Sequence, residues 1–108
     1  MKKRLTLIKL FFMVSLHHIQ QHREEIRRIA AAHGAEKVWI FGSVAAGRTN
    51  ASSDLDLLVR MRPDASLLDR IALMQELEAL LGVKVDAVNE NALHPSLRQT
   101  ILQESIPL

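Results

Sequence analysis

Val38-Trp39-Ile40-Phe41-Gly42-Ser43 and, after ten intervening residues, Asp54-Leu55-Asp56-Leu57-Leu58-Val59-Arg60 decide how this chain folds. Val38 to Phe41 is a short apolar run rich in β-formers, which reads as a buried strand ended by Gly42-Ser43. The interval, with Gly47, Thr49, Asn50, Ser52 and Ser53, is small and polar, and so predicts a loop that opens with one helical turn. A second strand runs from Asp54 to Arg60. Alternate strand residues face the same way, so Asp54 and Asp56 project together while Leu55 and Leu57 face the opposite layer.

Outward from this pair of strands, the pattern becomes helical. Leu16, Ile19, Ile26, Ile29 and Ala30 form one apolar stripe from Ser15 to a stop at Gly34. On the other side Pro63 and Asp64 break the strand. Ser66 with Asp69 makes a capping-box pattern before Leu67, Ile71, Met74, Leu77 and Leu81, and Gly82 ends that helix. Val83, Val85 and Ala87 alternate with Lys84, Asp86 and Val88 as a third strand. His94-Pro95 then starts a last helix carrying Leu97, Ile101 and Leu102. The expected class is α+β, in the order α-β-β-α-β-α, with no internal repeat or linker.

The chain has 108 residues, enough for one core and little more. Its 14 lysines and arginines against 12 acids give a formal charge of +2. Lys2, Lys3, Arg4 and Lys9 all fall in the first 12 residues, which leaves ten bases against all twelve acids beyond them. The body is therefore slightly acidic and has no aromatic-basic stripe, so direct nucleic-acid binding is not expected. Residues 1–12 read as a leader upstream of Met13 or an extension of the first helix. Lys9 interrupts the apolar run, no small-residue cleavage site follows, and the run is far shorter than the roughly 20 residues that span a bilayer, so neither a signal peptide nor membrane association is expected. Residues 13–108 read as one domain. The absence of cysteine excludes disulfides and thiolate chemistry and agrees with a cytoplasmic location.

The chemistry lies in the carboxylates. Two held side by side repel, and one keeps its proton unless a cation intervenes. Mg²⁺ suits the position, since it takes one or two carboxylates and completes its shell with phosphate oxygens and water. Asp86, out of phase with Val83, Val85 and Ala87, can face the same pair; three carboxylates on one sheet face can hold two ions. An unpaired aspartate within Val83-Lys84-Val85-Asp86-Ala87-Val88 has no packing explanation. Gly42 allows a phosphate to approach the backbone, and Ser43 offers a hydroxyl and an amide. No Gly-Lys-Ser/Thr is present, so this is not a Walker loop. Arg48 is the nearest fixed positive charge. Taken singly, an Asp-x-Asp is most often a solvated strand edge and a Gly-Ser most often a turn; their conjunction carries the reading. His18 and His22, four apart, have zinc spacing, but a solvated helix face is the ordinary role of such a pair. Trp39 and Phe41 read as core, and Arg23, Arg27 and Arg28 as a solvated face.

Phe41-Gly42-Ser43, the ten-residue gap, Ser53-Asp54-Leu55-Asp56-Leu57 and Val85-Asp86 closely resemble the minimal nucleotidyltransferases of the DNA-polymerase-β-like superfamily, over about residues 15–104. The resemblance implies a small mixed β-sheet backed by helices, ATP as substrate with Mg²⁺, and transfer of a nucleoside monophosphate to a hydroxyl. It implies that Gly42, Ser43 and Arg48 bind the nucleotide and that Asp54, Asp56 and Asp86 are catalytic and ligate metal, Asp86 as ligand or base. One departure concerns the loop: many relatives carry arginine before its glycine, where this chain has Ala46 before Gly47, with Arg48 as the nearest replacement. Small members often act as type VII-like antitoxins beside a HEPN ribonuclease toxin, some by attaching AMP to a toxin tyrosine. This chain has no tyrosine, so such an acceptor lies in trans. The competing readings are an antitoxin that neutralises by binding alone, and transfer to a small molecule such as an aminoglycoside.

Overall fold

A computed structural model describes residues 15–48 and 54–108. Helices α1 (Leu16–Gln21) and α2 (Arg23–Ala32) lead into strand β1 (Ala35–Phe41) and the single-turn helix α3 (Gly42–Ala45). Strand β2 (Leu55–Met61), helix α4 (Leu67–Leu81) and strand β3 (Val85–Asn89) follow. A 3-10 turn (Glu90–Ala92), helix α5 (Pro95–Glu104) and the two-residue strand β4 (Ile106–Pro107) complete the chain. The sheet order is β3-β2-β1-β4. β1 is antiparallel to both β2 and β4, while β2 and β3 are parallel and joined by α4 as the crossover. This is the expected mixed sheet backed by helices.

The period of two sorts the sheet into faces. Val38 and Ile40 stand opposite Val59 and Leu57, and Leu55 and Leu57 opposite Val85 and Ala87. These residues are buried against Ile19, Ile26 and Ala30 from α1 and α2 and Leu73, Leu77 and Leu81 from α4. On the other face Phe41, Trp39, Asp56, Leu58, Asp86 and Val88 alternate with them. The punctuation behaves as its chemistry requires. Ser66 and Asp69 form the reciprocal capping box of α4, and Gly82 closes that helix in the left-handed conformation at φ 71°. His94 caps α5, accepting from the Ser96 amide at Nδ1, with Pro95 in the first turn.

Five details differ from the sequence reading. The first helix divides at His22, whose amide bonds back to the Ile19 carbonyl at 3.0 Å. The stripe positions that follow Ile19, His22 and Arg23, are polar, and burial resumes only at Ile26, so no apolar contact holds the backbone helical there. Leu67 is not part of the α4 stripe: it is 60% exposed, and burial begins at Leu73. Leu97 is likewise 53% exposed on α5. The third strand starts at Val85 rather than Val83, and β4 is an element the pattern did not contain. The expected leader, residues 1–12, lies outside the described residues, as do Thr49 to Ser53 of the loop. Among the described residues no helix is long and apolar enough to cross a membrane.

Leu77, fully buried between sheet and helices, tests this packing. Leu77→Ala is expected to lower unfolding stability by about 2–5 kcal/mol, and Ser66→Ala by ~1 kcal/mol through loss of the cap. Urea titration of both variants checks the ranking.

Candidate active site

The antiparallel register sets Phe41, the last residue of β1, opposite Asp56. The chain must then turn past that carboxyl, and it does so at Gly42 with φ 73°. A Cβ at Gly42 would stand 2.5 Å from Asp56 Oδ2 and 3.2 Å from its Cγ. Both the backbone angle and the space therefore require glycine. Ser43 is half-buried beside it, and the fully buried Val44 anchors α3 in the core. The Arg48 amide donates to the Ser43 carbonyl at 2.8 Å, folding the segment back and leaving Arg48 exposed at the rim.

Asp54 precedes β2, exposed, and the neighbouring Leu55 amide donates to the Lys84 carbonyl at 2.9 Å, which ties the starts of β2 and β3 together. In the parallel register Asp56 and Asp86 are direct neighbours, and Val85 and Ala87 point into the core, so Asp86 faces away from it as expected. The carboxyl of Asp56 is held above the usual carboxylate range, first by burial and then by the charges of Asp86 and Asp54. No basic side chain forms an ion pair with any of the three among the described residues.

Asp54 and Asp86 line a cleft of about 420 Å³ whose other wall is Ile71, Met74, Gln75 and Glu78 of α4, with Lys84 at its rim. Side chains of α4 also satisfy the outer edge of β3. Glu78 Oε2 accepts from the Val85 amide at 3.0 Å, Met74 Sδ from the Ala87 amide at 3.2 Å, and Arg70 Nη1 donates to the Ala87 carbonyl at 2.6 Å. These residues, which set the position of Asp86, were missed in the sequence because the helix was read there only by its apolar stripe. A larger groove of about 620 Å³ lies at the opposite edge of the sheet, against α2, and contains none of the three carboxylates. The smaller cleft is thus lined by two of the three carboxylates, Asp54 and Asp86.

The donor set suits a hard cation: carboxylate oxygens only, partly exposed, with an uncompensated negative field. It is an open arrangement, since among the described residues no three carboxyl or imidazole groups surround a single point. Mg²⁺ fits such a site, because phosphate oxygens and water complete its shell. His18 and His22 meet edge to face at 4.8 Å between ring centres and have no third ligand among the described residues. Trp39 is only half-buried, with the Arg60 guanidinium 5.5 Å from its ring centre. Arg60 is held in turn by Glu90, which is 4% exposed and accepts from Nε at 2.7 Å.

The nucleotidyltransferase domain family matches residues 19–108. The chain belongs to it. A protein of Methanocaldococcus jannaschii provisionally named as the protein adenylyltransferase MJ0435 is 38% identical over 89 residues, 82% of this chain and 96% of that protein. The protein adenylyltransferase MntA of Thermococcus cleftensis is 37% identical over 91 residues, 77% of this chain and 92% of that protein. A solved structure, provisionally described as a minimal nucleotidyltransferase, superposes with a TM-score of 0.80 at 47% identity, over 87% of this chain and 96% of that one. The same fold recurs at 22% identity and a TM-score of 0.67 in a toxin–antitoxin complex solved with AMP-PNP, over 78% of this chain and 69% of that one. This nucleotidyltransferase thus shares its fold with both solved structures.

Two outcomes follow from the geometry. Gly42→Ala is expected to displace the turn from Asp56 and reduce nucleotidyl transfer by tenfold or more, while Gly47→Ala, with open space around the added Cβ, disturbs only its own turn; steady-state rates of the two variants separate them. Because the folded state holds the Asp56 proton to a higher pH than the unfolded state does, stability falls as pH rises from the unfolded carboxyl value through the raised one. In metal-free buffer Asp56→Asn is expected to raise Tm at neutral pH, with the gain vanishing near pH 3; scanning calorimetry across that range checks the sign.

Proposed function

We propose that this nucleotidyltransferase is an Mg²⁺-dependent protein adenylyltransferase that acts in the cytoplasm as an antitoxin. It transfers AMP from ATP to a hydroxyl, that of a tyrosine, on a partner HEPN ribonuclease toxin. The observation that carries this reading is the Gly42 turn lying against Asp56, with Asp86 beside it in register, in a chain similar over most of its length to the MntA adenylyltransferase. A further complex of the same fold, at 20% identity and a TM-score of 0.62, is described as a tri-AMPylated Shewanella oneidensis HEPN toxin with its MNT antitoxin. That description supports the choice of partner and of reaction.

In this reading the Gly42 turn, with no side chain in the way, lets triphosphate oxygens approach the Ser43 amide and hydroxyl. Arg48 at the rim offers its charge to the same oxygens. Asp54 and Asp56 hold the cation, and Asp86 orients the acceptor hydroxyl and takes its proton. The acceptor oxygen forms its bond to the α-phosphorus in line as the bond to the bridging oxygen breaks, and pyrophosphate leaves with that electron pair. Bound Mg²⁺ supplies charge neutralisation for the triphosphate and lowers the cost of ionising the acceptor.

Asp56, half-buried beside Asp86 in register and without an ion pair among the described residues, favours catalysis over a purely binding antitoxin. With α-labelled ATP, Mg²⁺ and a HEPN-type partner protein, the partner is expected to acquire label. Asp54→Asn combined with Asp56→Asn should lower labelling by about a hundredfold or more, the loss of ~2.7 kcal/mol of transition-state stabilisation. Equal labelling by that variant, or labelling of an aminoglycoside in place of protein, would overturn the assignment. Neutralisation of the toxin by the unlabelling variant would establish the binding-only alternative.

A further inference from the structure

The three aspartates stand at one end of the parallel ladder. Leu55 and Val85 are its first pair, Asp56 and Asp86 its second, and Asp54 precedes β2 altogether. Strand ends fray, and here the like charges of Asp56 and Asp86, direct neighbours across the pair, repel. β3 is also the outer strand of the sheet, with no further strand to hold it.

This end is pinned through one peptide group, that between Lys84 and Val85. Its carbonyl accepts from the Leu55 amide at 2.9 Å, and its N–H donates to Glu78 Oε2 at 3.0 Å. A trans peptide points these two groups in opposite directions, so the unit ties β2 on one side to α4 on the other. Leu55 lies between Asp54 and Asp56, and Val85 immediately precedes Asp86. The series from the Glu78 carboxylate through the peptide to the Leu55 amide therefore reaches the backbone beside all three aspartates. Hydrogen bonds in series polarise one another, so a carboxylate on the N–H strengthens the bond made by the carbonyl. Glu78 is itself fixed from the helix, its own carbonyl accepting from the Gly82 amide at 2.8 Å as α4 closes.

A carboxylate is a costly choice at this position. Glu78 lines the same cleft as Asp54 and Asp86 and forms no ion pair among the described residues, so its charge adds to a field that is already negative. Satisfying an amide at this edge does not require a charge, since the next one, that of Ala87, is met by the neutral Met74 Sδ at 3.2 Å. The charged acceptor stands at the first pair, where the strands are held against repulsion.

We propose that Glu78 is a positioning residue for nucleotidyl transfer, which acts through the Lys84–Val85 peptide to set Asp54 and Asp56 against Asp86. The inference rests on the reading of these aspartates as the transfer site, and it gives Glu78 no contact with nucleotide or acceptor.

The test compares Glu78→Ala with Glu78→Gln in the full chain. Glutamine keeps an acceptor oxygen without the charge, and alanine removes both. With α-labelled ATP, Mg²⁺ and a HEPN-type partner protein, the alanine variant is expected to lose about tenfold or more in kcat while KM for ATP changes by less than about twofold, and glutamine should regain much of the loss. Hydrogen exchange in the alanine variant should quicken at Leu55 as well as at Val85, whereas a contact that only seals the edge would move Val85 alone. Affinity for Mg²⁺ alone, measured by calorimetry, should fall in the order wild type, glutamine, alanine; loss of charge by itself would weaken both variants equally. Glu78→Met, which keeps the bulk of the side chain and offers only a weak sulfur acceptor, takes the place of alanine if that chain does not fold. Wild-type kcat in the alanine variant, unchanged exchange at Leu55, or a glutamine variant no better than alanine overturns the proposal. If the wild-type chain transfers no label, the adenylyltransferase reading fails, while exchange at Leu55 and Mg²⁺ affinity still decide whether Glu78 positions the carboxylates.

Discussion

The register between β1 and β2 is the constraint on which the rest of the structure depends. Val38 and Ile40 opposite Val59 and Leu57 bury one face of the sheet against α2 and α4, and the period of two then sends Phe41 and Asp56 to the other face together. A slip of one residue would place the Asp56 carboxyl in the hydrocarbon core and Leu57 in water. Leu55 and Leu57 are thus packing residues and also registration devices for the aspartate between them. The parallel pairing extends the same discipline to β3, where Val85 and Ala87 hold Asp86 outward beside Asp56. Placement of the acidic site is a consequence of apolar packing on the opposite side of the sheet.

That placement opposes stability locally. Burial, Asp86 and Asp54 all disfavour the charged form of Asp56, and no ion pair among the described residues relieves it. The fully buried leucines of α4 and β2 supply the compensating free energy away from the site. In the proposed reaction a cation arriving with a triphosphate would reverse the sign of the local term, so that carboxylates unfavourable alone would become favourable in the complex. Sites of this type characteristically trade folding stability for function. The glycine turn has the same character: Gly42 contributes no packing, and its value lies in the room it leaves for the carboxyl behind it.

Much of this was legible in the amino-acid order because the informative features were local. Strand alternation, the capping box at Ser66 and Asp69, the left-handed close at Gly82 and the out-of-phase Asp86 all rest on neighbours a few residues apart. What escaped depends on the tertiary arrangement. Two residues, one of them proline, contain no period, so β4 has no signature of its own. Glu78 and Lys84 differ from ordinary solvated charges only because the crossover lays α4 along the edge of β3. Glu90, within Asn89-Glu90-Asn91, has no local pattern that marks burial, yet its carboxylate is buried against Arg60. Leu67 was misplaced for the converse reason: a helical period predicts which face is apolar, yet not where along the helix the sheet begins to cover it.

The asymmetry between the sheet edges bears on how so small a domain can work on a macromolecule. An unprotected edge is a hazard for any soluble sheet, and natural proteins cover it unless it has a use. Here the edge next to the carboxylate cleft is sealed by three separate side-chain contacts, which keep β3 from recruiting a foreign strand. Among the described residues the edge farthest from the cleft is left partly open, and the groove beside it is lined by three bases and two acids. In the proposed transfer the acceptor tyrosine must come from outside this domain, which has none of its own.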